Sequence, residues 1–145
     1  MAKPLLRAHS HNDYAHTRPL LDALDQGFCS VEADIYLEGG KLLVGHDKKD
    51  LTPERTLTAL YLEPLWQRVK QNRGQVYPEP APLTLLVDIK TDGPRVYAAL
   101  KDVLKPYAPM LTQFTGEKIE RRAVTIILSG DRPREILERE RTRLA

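Results

Sequence analysis

Short apolar runs rich in β-branched residues recur along the chain, and stretches with helical spacing separate them. Residues 29–37, Cys29-Ser30-Val31-Glu32-Ala33-Asp34-Ile35-Tyr36-Leu37, read as a strand. Glu38-Gly39-Gly40 is a turn signal, and residues 41–46 (Lys41-Leu42-Leu43-Val44-Gly45-His46) return from it, which predicts a β-hairpin. Residues 83–90 and 123–129 predict two further strands, and residues 4–9 a short one at the start. Between them, residues 18–26 carry Leu20, Leu21 and Leu24 at helical spacing, with Gly27 as a stop. A second helix is expected from Thr52-Pro53-Glu54-Arg55 onward through Leu57, Leu60, Leu65 and Val69, broken at Pro64. A third spans residues 93–105, and a fourth opens at Asp131-Arg132-Pro133 and runs into the C-terminus.

Strands alternating with helices predict an α/β domain with a mostly parallel sheet. Tyr77-Pro78-Glu79-Pro80-Ala81-Pro82 is a stiff loop before a strand, and the alternation resumes beyond it, so residues 1–145 read as a single domain. The length of 145 residues is well short of the roughly 250 of a closed (β/α)8 barrel. Charge adds little: 22 basic against 20 acidic residues give a net +2, which offers no argument for nucleic-acid binding. No apolar run approaches the ~18 residues of a transmembrane segment. The start lacks a signal peptide, so the chain as written is expected in the cytoplasm, or secreted or periplasmic if an upstream signal is removed. The single cysteine, Cys29, excludes an internal disulfide and reads as a small core residue.

The polar residues that interrupt these strands cluster near their C-terminal ends. His9 and His11 follow the first strand, Glu32 and Asp34 lie in the second, and His46 ends the hairpin. Asp88 and Lys90 end the third strand, and Ser129-Gly130-Asp131 ends the fourth. Ligands of parallel α/β sheets bind at that end. Residues i and i+2 of a strand share a face, so Glu32 projects with Asp34 and Asp88 with Lys90. Three converging carboxylates repel one another without a cation, and an oxygen-only set favours one divalent cation, Mg2+ or Ca2+, over zinc. His9 and His46 would flank it as general base and general acid, and Lys90 would neutralise an anionic substrate oxygen. Taken alone, Asp88 and Lys90 would be a structural ion pair, and Asn12-Asp13-Tyr14 a polar turn capping the next helix.

Ala8-His9, Glu32-x-Asp34, Gly45-His46-Asp47 and Val87-Asp88-Ile89-Lys90, in that order, resemble the N-terminal half of the glycerophosphodiester phosphodiesterase / phosphatidylinositol-specific phospholipase C superfamily. The third-strand Asp88-x-Lys90 is most similar to spider sphingomyelinase D of the same broad group. The opening His9-Ser10-His11-Asn12-Asp13-Tyr14 resembles a separate branch, because the common His-Arg-Gly opening and its phosphate-binding arginine are absent. The resemblance implies a TIM-type (β/α)8 barrel and cleavage of a small phosphodiester or lipid head group. It implies Glu32, Asp34 and Asp88 as metal ligands and His9 and His46 as the acid/base pair. Lys90 would assist them, and His11 and Asn12 would bind substrate. Whether His9 or His11 takes the first histidine's role is open, with His9 favoured because it directly follows the apolar strand.

The expected architecture is therefore the N-terminal half of such a barrel, truncated at the C-terminus. It would have four parallel strands plus a β-hairpin extension after the second strand. Its open sheet edges would favour self-association. Two alternatives remain at this stage. One is a His9-x-His11 metal hydrolase of the amidohydrolase or polymerase-histidinol-phosphatase type, and the other is a catalytically inactive barrel fragment.

Overall fold

The structure is a computed structural model, and it describes residues 2–145. The elements follow the order β1 (Leu5–Ser10), α1 (Leu21–Asp25), β2 (Phe28–Glu38), β3 (Lys41–Val44), α2 (Glu63–Gln71), β4 (Leu83–Ile89), α3 (Gly93–Leu104), β5 (Gln113–Thr115), β6 (Lys118–Glu120), β7 (Val124–Gly130), α4 (Arg134–Arg139) and β8 (Thr142–Arg143). The main sheet has the order β1-β2-β4-β7, all parallel, with β3 antiparallel to β2 as the hairpin extension. Gly39 (φ 57°) and Gly40 (φ 78°) make the tight turn between β2 and β3, where both central residues need positive φ.

The spatial order of the parallel strands repeats their chain order, so the winding advances in one direction. Crossovers of uniform hand then place their helices on the same face of the sheet. The burial pattern agrees. Val31, Ala33 and Ile35 of β2, Leu85, Val87 and Ile89 of β4, and Val124 and Ile126 of β7 are fully buried, in one cluster with Leu24, Leu65, Val96 and Leu100 of the helices. The alternate positions face away from the helices. Glu32, Leu86 and Ser129 there are half-buried, and Ile127 is 48% exposed. At the far edge Leu6 of β1 is 69% exposed.

Three expectations are corrected. Pro64 does not break the second helix. A π turn over Thr58–Leu62 leads directly into α2, and the Glu63 amide donates to the Thr58 carbonyl five residues back. The wider turn absorbs the proline ring and its missing donor. The last helix is only six residues long and does not run into the C-terminus, because Thr142–Arg143 leave it to pair with β5. The β5–β6 hairpin, joined by Gly116, was not expected at all, since its short strands carry too few buried apolar residues to signal.

The rim of the sheet is tight where β4 and β7 end. Gly130 has φ 72°, and a Cβ added there would lie 2.3 Å from the Ile89 carbonyl oxygen and 2.8 Å from Asp88 Oδ1. Gly130→Ala is expected to lower the unfolding free energy by more than ~1 kcal/mol, read from the urea midpoint. Gly116→Ala, with nothing within 4 Å of the added methyl, should cost less. Equal midpoints for the two variants would contradict this packing.

Candidate functional site

β2 and β4 run in register with Asp34 opposite Asp88, and Asp88 stands opposite Ser129 of β7. The three side chains therefore occupy one rung at the C-terminal end of the sheet, on the face away from the helices. Lys90 lies just past the end of β4, two residues after Asp88. Its Nζ is 3.2 Å from Asp34 Oδ2 and 3.1 Å from Asp88 Oδ2, so a cationic group sits between the two carboxylates. Burial works against this ammonium, but hydrogen bonds to Asp88 and the charge of Asp34 outweigh it and hold its pKa above the ordinary lysine value. Ser129 Oγ donates to Asp88 Oδ1 at 2.7 Å and fixes the other side of that carboxylate.

Asp34 is 2% exposed and would be costly to keep charged without partners. Besides Lys90, the Tyr14 hydroxyl donates to its Oδ2 at 2.5 Å, and His46 Nδ1 lies 3.4 Å from the same oxygen. Burial, together with the hydrogen bond and charge of Asp34, pushes the Tyr14 pKa upward, so this phenol remains a donor. The Tyr36 hydroxyl donates to the His46 carbonyl at 3.0 Å, which holds the end of the hairpin over the rim. The His46 ring itself is largely exposed.

Glu32, two residues before Asp34 on the same face, accepts from the Asn12 amide at 3.1 Å and lies 3.5 Å from His11 Nε2. Thus the loop after β1 reaches both β2 carboxylates. His9 does not. Its Nδ1 is 2.6 Å from Ser30 Oγ, and the pairing places His9 beside Ser30. Ser30 is four residues before Asp34, a separation of roughly 13 Å along a strand. An irregularity in the β1–β2 pairing between Leu5 and His9 resets the register, and of the two histidines after β1 it is His11 that meets a carboxylate, Glu32, while His9 lies against Ser30.

The loop is anchored by Asp13, which is fully buried. Its Oδ1 accepts from Ser10 Oγ at 2.7 Å, and its Oδ2 accepts from the Leu20 amide at 2.6 Å and the Tyr61 hydroxyl at 2.8 Å. Neither Asp13 nor Tyr14 stood out as more than a turn in the sequence. The one available signal was an aromatic residue and an acid inside a turn that needed neither. Cys29 is a buried free thiol, as expected for a core residue.

Asp34 and Asp88 around one ammonium form a position that accepts a cation, and their oxygen chemistry suits a hard one. Among the described residues, no three His, Cys, Asp or Glu side chains are grouped closely enough to hold a metal ion. Glu32 is turned toward Asn12 and His11 instead.

The family model of the AIM6-like phosphodiesterase domain matches residues 3–144. This chain belongs to the AIM6-like phosphodiesterase domain family. It is 38% identical over 148 residues to altered inheritance of mitochondria protein 6 of Eremothecium gossypii, covering 89% of this chain and 38% of that protein. It is 39% identical over 147 residues to the protein of the same name from Lachancea thermotolerans, covering 88% and 34%. The homolog from Arthroderma benhamiae is 34% identical over 147 residues, covering 86% and 47%. The chain thus spans less than half the length of these relatives. No solved structure matches it.

Within this AIM6-like domain, the Asp13 anchor generates a stability prediction. Asp13→Ala leaves the Ser10 hydroxyl, the Leu20 amide and the Tyr61 hydroxyl without their acceptor. At ~1–3 kcal/mol per orphaned buried donor, a loss of at least ~2 kcal/mol is expected in urea unfolding. Tyr14→Phe removes one hydroxyl from a fold that is otherwise intact and should cost less. A negligible effect of Asp13→Ala would show that the loop is not held this way.

Proposed function

We propose that this chain carries the catalytic half of a metal-dependent phosphodiesterase that acts on a glycerophosphodiester or phospholipid-type substrate. The observation that supports it most is the Asp34–Lys90–Asp88 arrangement at one rung of the parallel sheet, with His46 beside Asp34 and His11 beside Glu32, two residues earlier on the same face. Family membership supports the reaction class. The architecture we infer is the N-terminal half of a (β/α)8 barrel. One-way winding of four parallel strands, an open inner face and relatives more than twice as long all support it.

In this reading His11 and His46 divide the proton work. His11 accepts the proton of the attacking hydroxyl as its oxygen forms the new bond to phosphorus. His46 donates a proton to the leaving alkoxide as the old P–O bond breaks. Lys90 offsets charge on the phosphoryl oxygens. A divalent ion, Mg2+ or Ca2+, would be held by Asp34 and Asp88 in place of the Lys90 ammonium and would supply Lewis-acid charge to the same oxygens, and Glu32 would join them only by turning from Asn12 and His11. Asn12, whose amide is already engaged by Glu32, lines the approach of the substrate. The substrate is a small phosphodiester or lipid head group rather than a nucleic acid, in keeping with the near-neutral charge balance. No helix among the described residues is long and apolar enough to cross a membrane.

Single substitutions in this protein test the assignment with a chromogenic phosphodiester such as bis(p-nitrophenyl) phosphate. Asp88→Asn should lower kcat at least ~100-fold, the scale of a lost electrostatic contribution to the transition state. Retained turnover in a folded Asp88→Asn protein would overturn the reading. His11→Ala should fall ~100-fold or more, within the range of general acid–base catalysis. His9→Ala should stay within a few-fold of the parent, and the reverse order would return the role to His9.

A further inference from the structure

Arg55 lies just past the hairpin, half-buried, and its NH2 donates to the Tyr14 carbonyl at 2.6 Å. Among the described residues its guanidinium forms no ion pair, and its hydrogen bond goes to that one carbonyl. A half-buried guanidinium usually faces a carboxylate, because its desolvation otherwise goes uncompensated. Arg55 lines a cavity of about 240 Å³ whose wall also includes Ala15, Gly45, His46 and Asp50. That volume is below the roughly 300–1,000 Å³ of pockets that enclose a whole drug-sized ligand, and it suits one charged group of a larger molecule. Two residues of its wall, Tyr14 and His46, also contact Asp34 of the carboxylate rim. Tyr14 contributes its carbonyl to Arg55 and its hydroxyl to Asp34, and His46 faces both the cavity and Asp34.

We propose that this cavity is an anion subsite in which Arg55 binds phosphoryl oxygens of the ligand. The planar fork of arginine presents paired donors that match two oxygens of a phosphate, which a lysine at this position would not do. Asp50 on the same wall offers an acceptor to carbon-bound hydroxyl groups, which inorganic phosphate lacks. The subsite therefore favours a phosphate ester carrying free hydroxyls over inorganic phosphate. The inference rests on the proposed phosphodiesterase reading only for the class of ligand.

The test is an NMR titration of the 145-residue chain with Arg Nε–Hε and His46 ring resonances as reporters. The probes are glycerol 3-phosphate, inorganic phosphate and, for the lipid source, vesicles containing phosphatidylglycerol. Saturable shifts at Arg55 and His46 are expected, with glycerol 3-phosphate binding more tightly than inorganic phosphate. Arg55→Gln should weaken binding at least ten-fold. Because Arg55 also holds the Tyr14 carbonyl, Ala15→Trp gives an independent check, since it blocks the cavity from an exposed position and leaves Arg55 in place. Vesicle binding that depends on Arg55 would assign the lipid source, and soluble-probe binding alone the free ester. Unchanged affinity in folded Arg55→Gln or in Ala15→Trp, or no saturable shift in the parent, would overturn the subsite. Arg55-dependent binding by a protein without diesterase activity would leave the subsite standing and remove the phosphodiesterase reading. Diesterase activity with an unchanged KM in Arg55→Gln would do the opposite.

Discussion

Two carboxylates set opposite one another on adjacent parallel strands, at a position almost closed to water, demand a positive charge between them. At an interstrand spacing of about 5 Å, two like charges repel by about 3 kcal/mol at the effective dielectric of a protein interior. Asp34 and Asp88 are in this situation, and the Lys90 ammonium answers it. The arrangement persists because the other face of the same strands is packed against helices. Val31, Ala33 and Ile35 of β2 and Leu85, Val87 and Ile89 of β4 are locked in the core, which fixes the register that brings the acids together. Slipping the pairing by one residue would turn those apolar side chains outward.

The second dependence is on the loop between β1 and α1. It is irregular, and such segments ordinarily drift unless side chains hold them. The buried Asp13 carboxylate gathers donors from the strand end, from the start of α1 and from the π turn that carries Tyr61. That knot delivers Tyr14 to Asp34, Asn12 and His11 to Glu32, and the Tyr14 carbonyl to Arg55. Fold and site are joined here: the proline-adjacent π turn, a local accommodation in a helix, becomes part of the support for a carboxylate on the opposite side of the sheet.

Much of this was legible in the sequence. The i, i+2 spacing of Glu32 with Asp34 and of Asp88 with Lys90 put each pair on one face, and the apolar residues between them announced strands buried on the other. The Gly39-Gly40 turn announced the hairpin. Register was not legible. Whether His9 or His11 reaches the acids depends on an irregularity in the β1–β2 pairing, which alternation of residue types does not encode. The buried Asp13 was hidden because its partners are a serine, a backbone amide and a tyrosine 48 residues away. The β5–β6–β8 sheet was hidden because its strands are short and largely solvent-facing, so they lack the apolar alternation that marks a half-buried strand.

In the proposed chemistry, the space between Asp34 and Asp88 is where the chain gathers positive charge. Crystals of the native protein soaked in Mn2+, which stands in for Mg2+ and scatters anomalously, examine that space directly. The account predicts a single strong anomalous peak within coordination distance of Asp34 and Asp88, with the Lys90 ammonium displaced from between them. Lys90 still bridging the two acids under saturating Mn2+, with the peak absent or elsewhere on the surface, would contradict it.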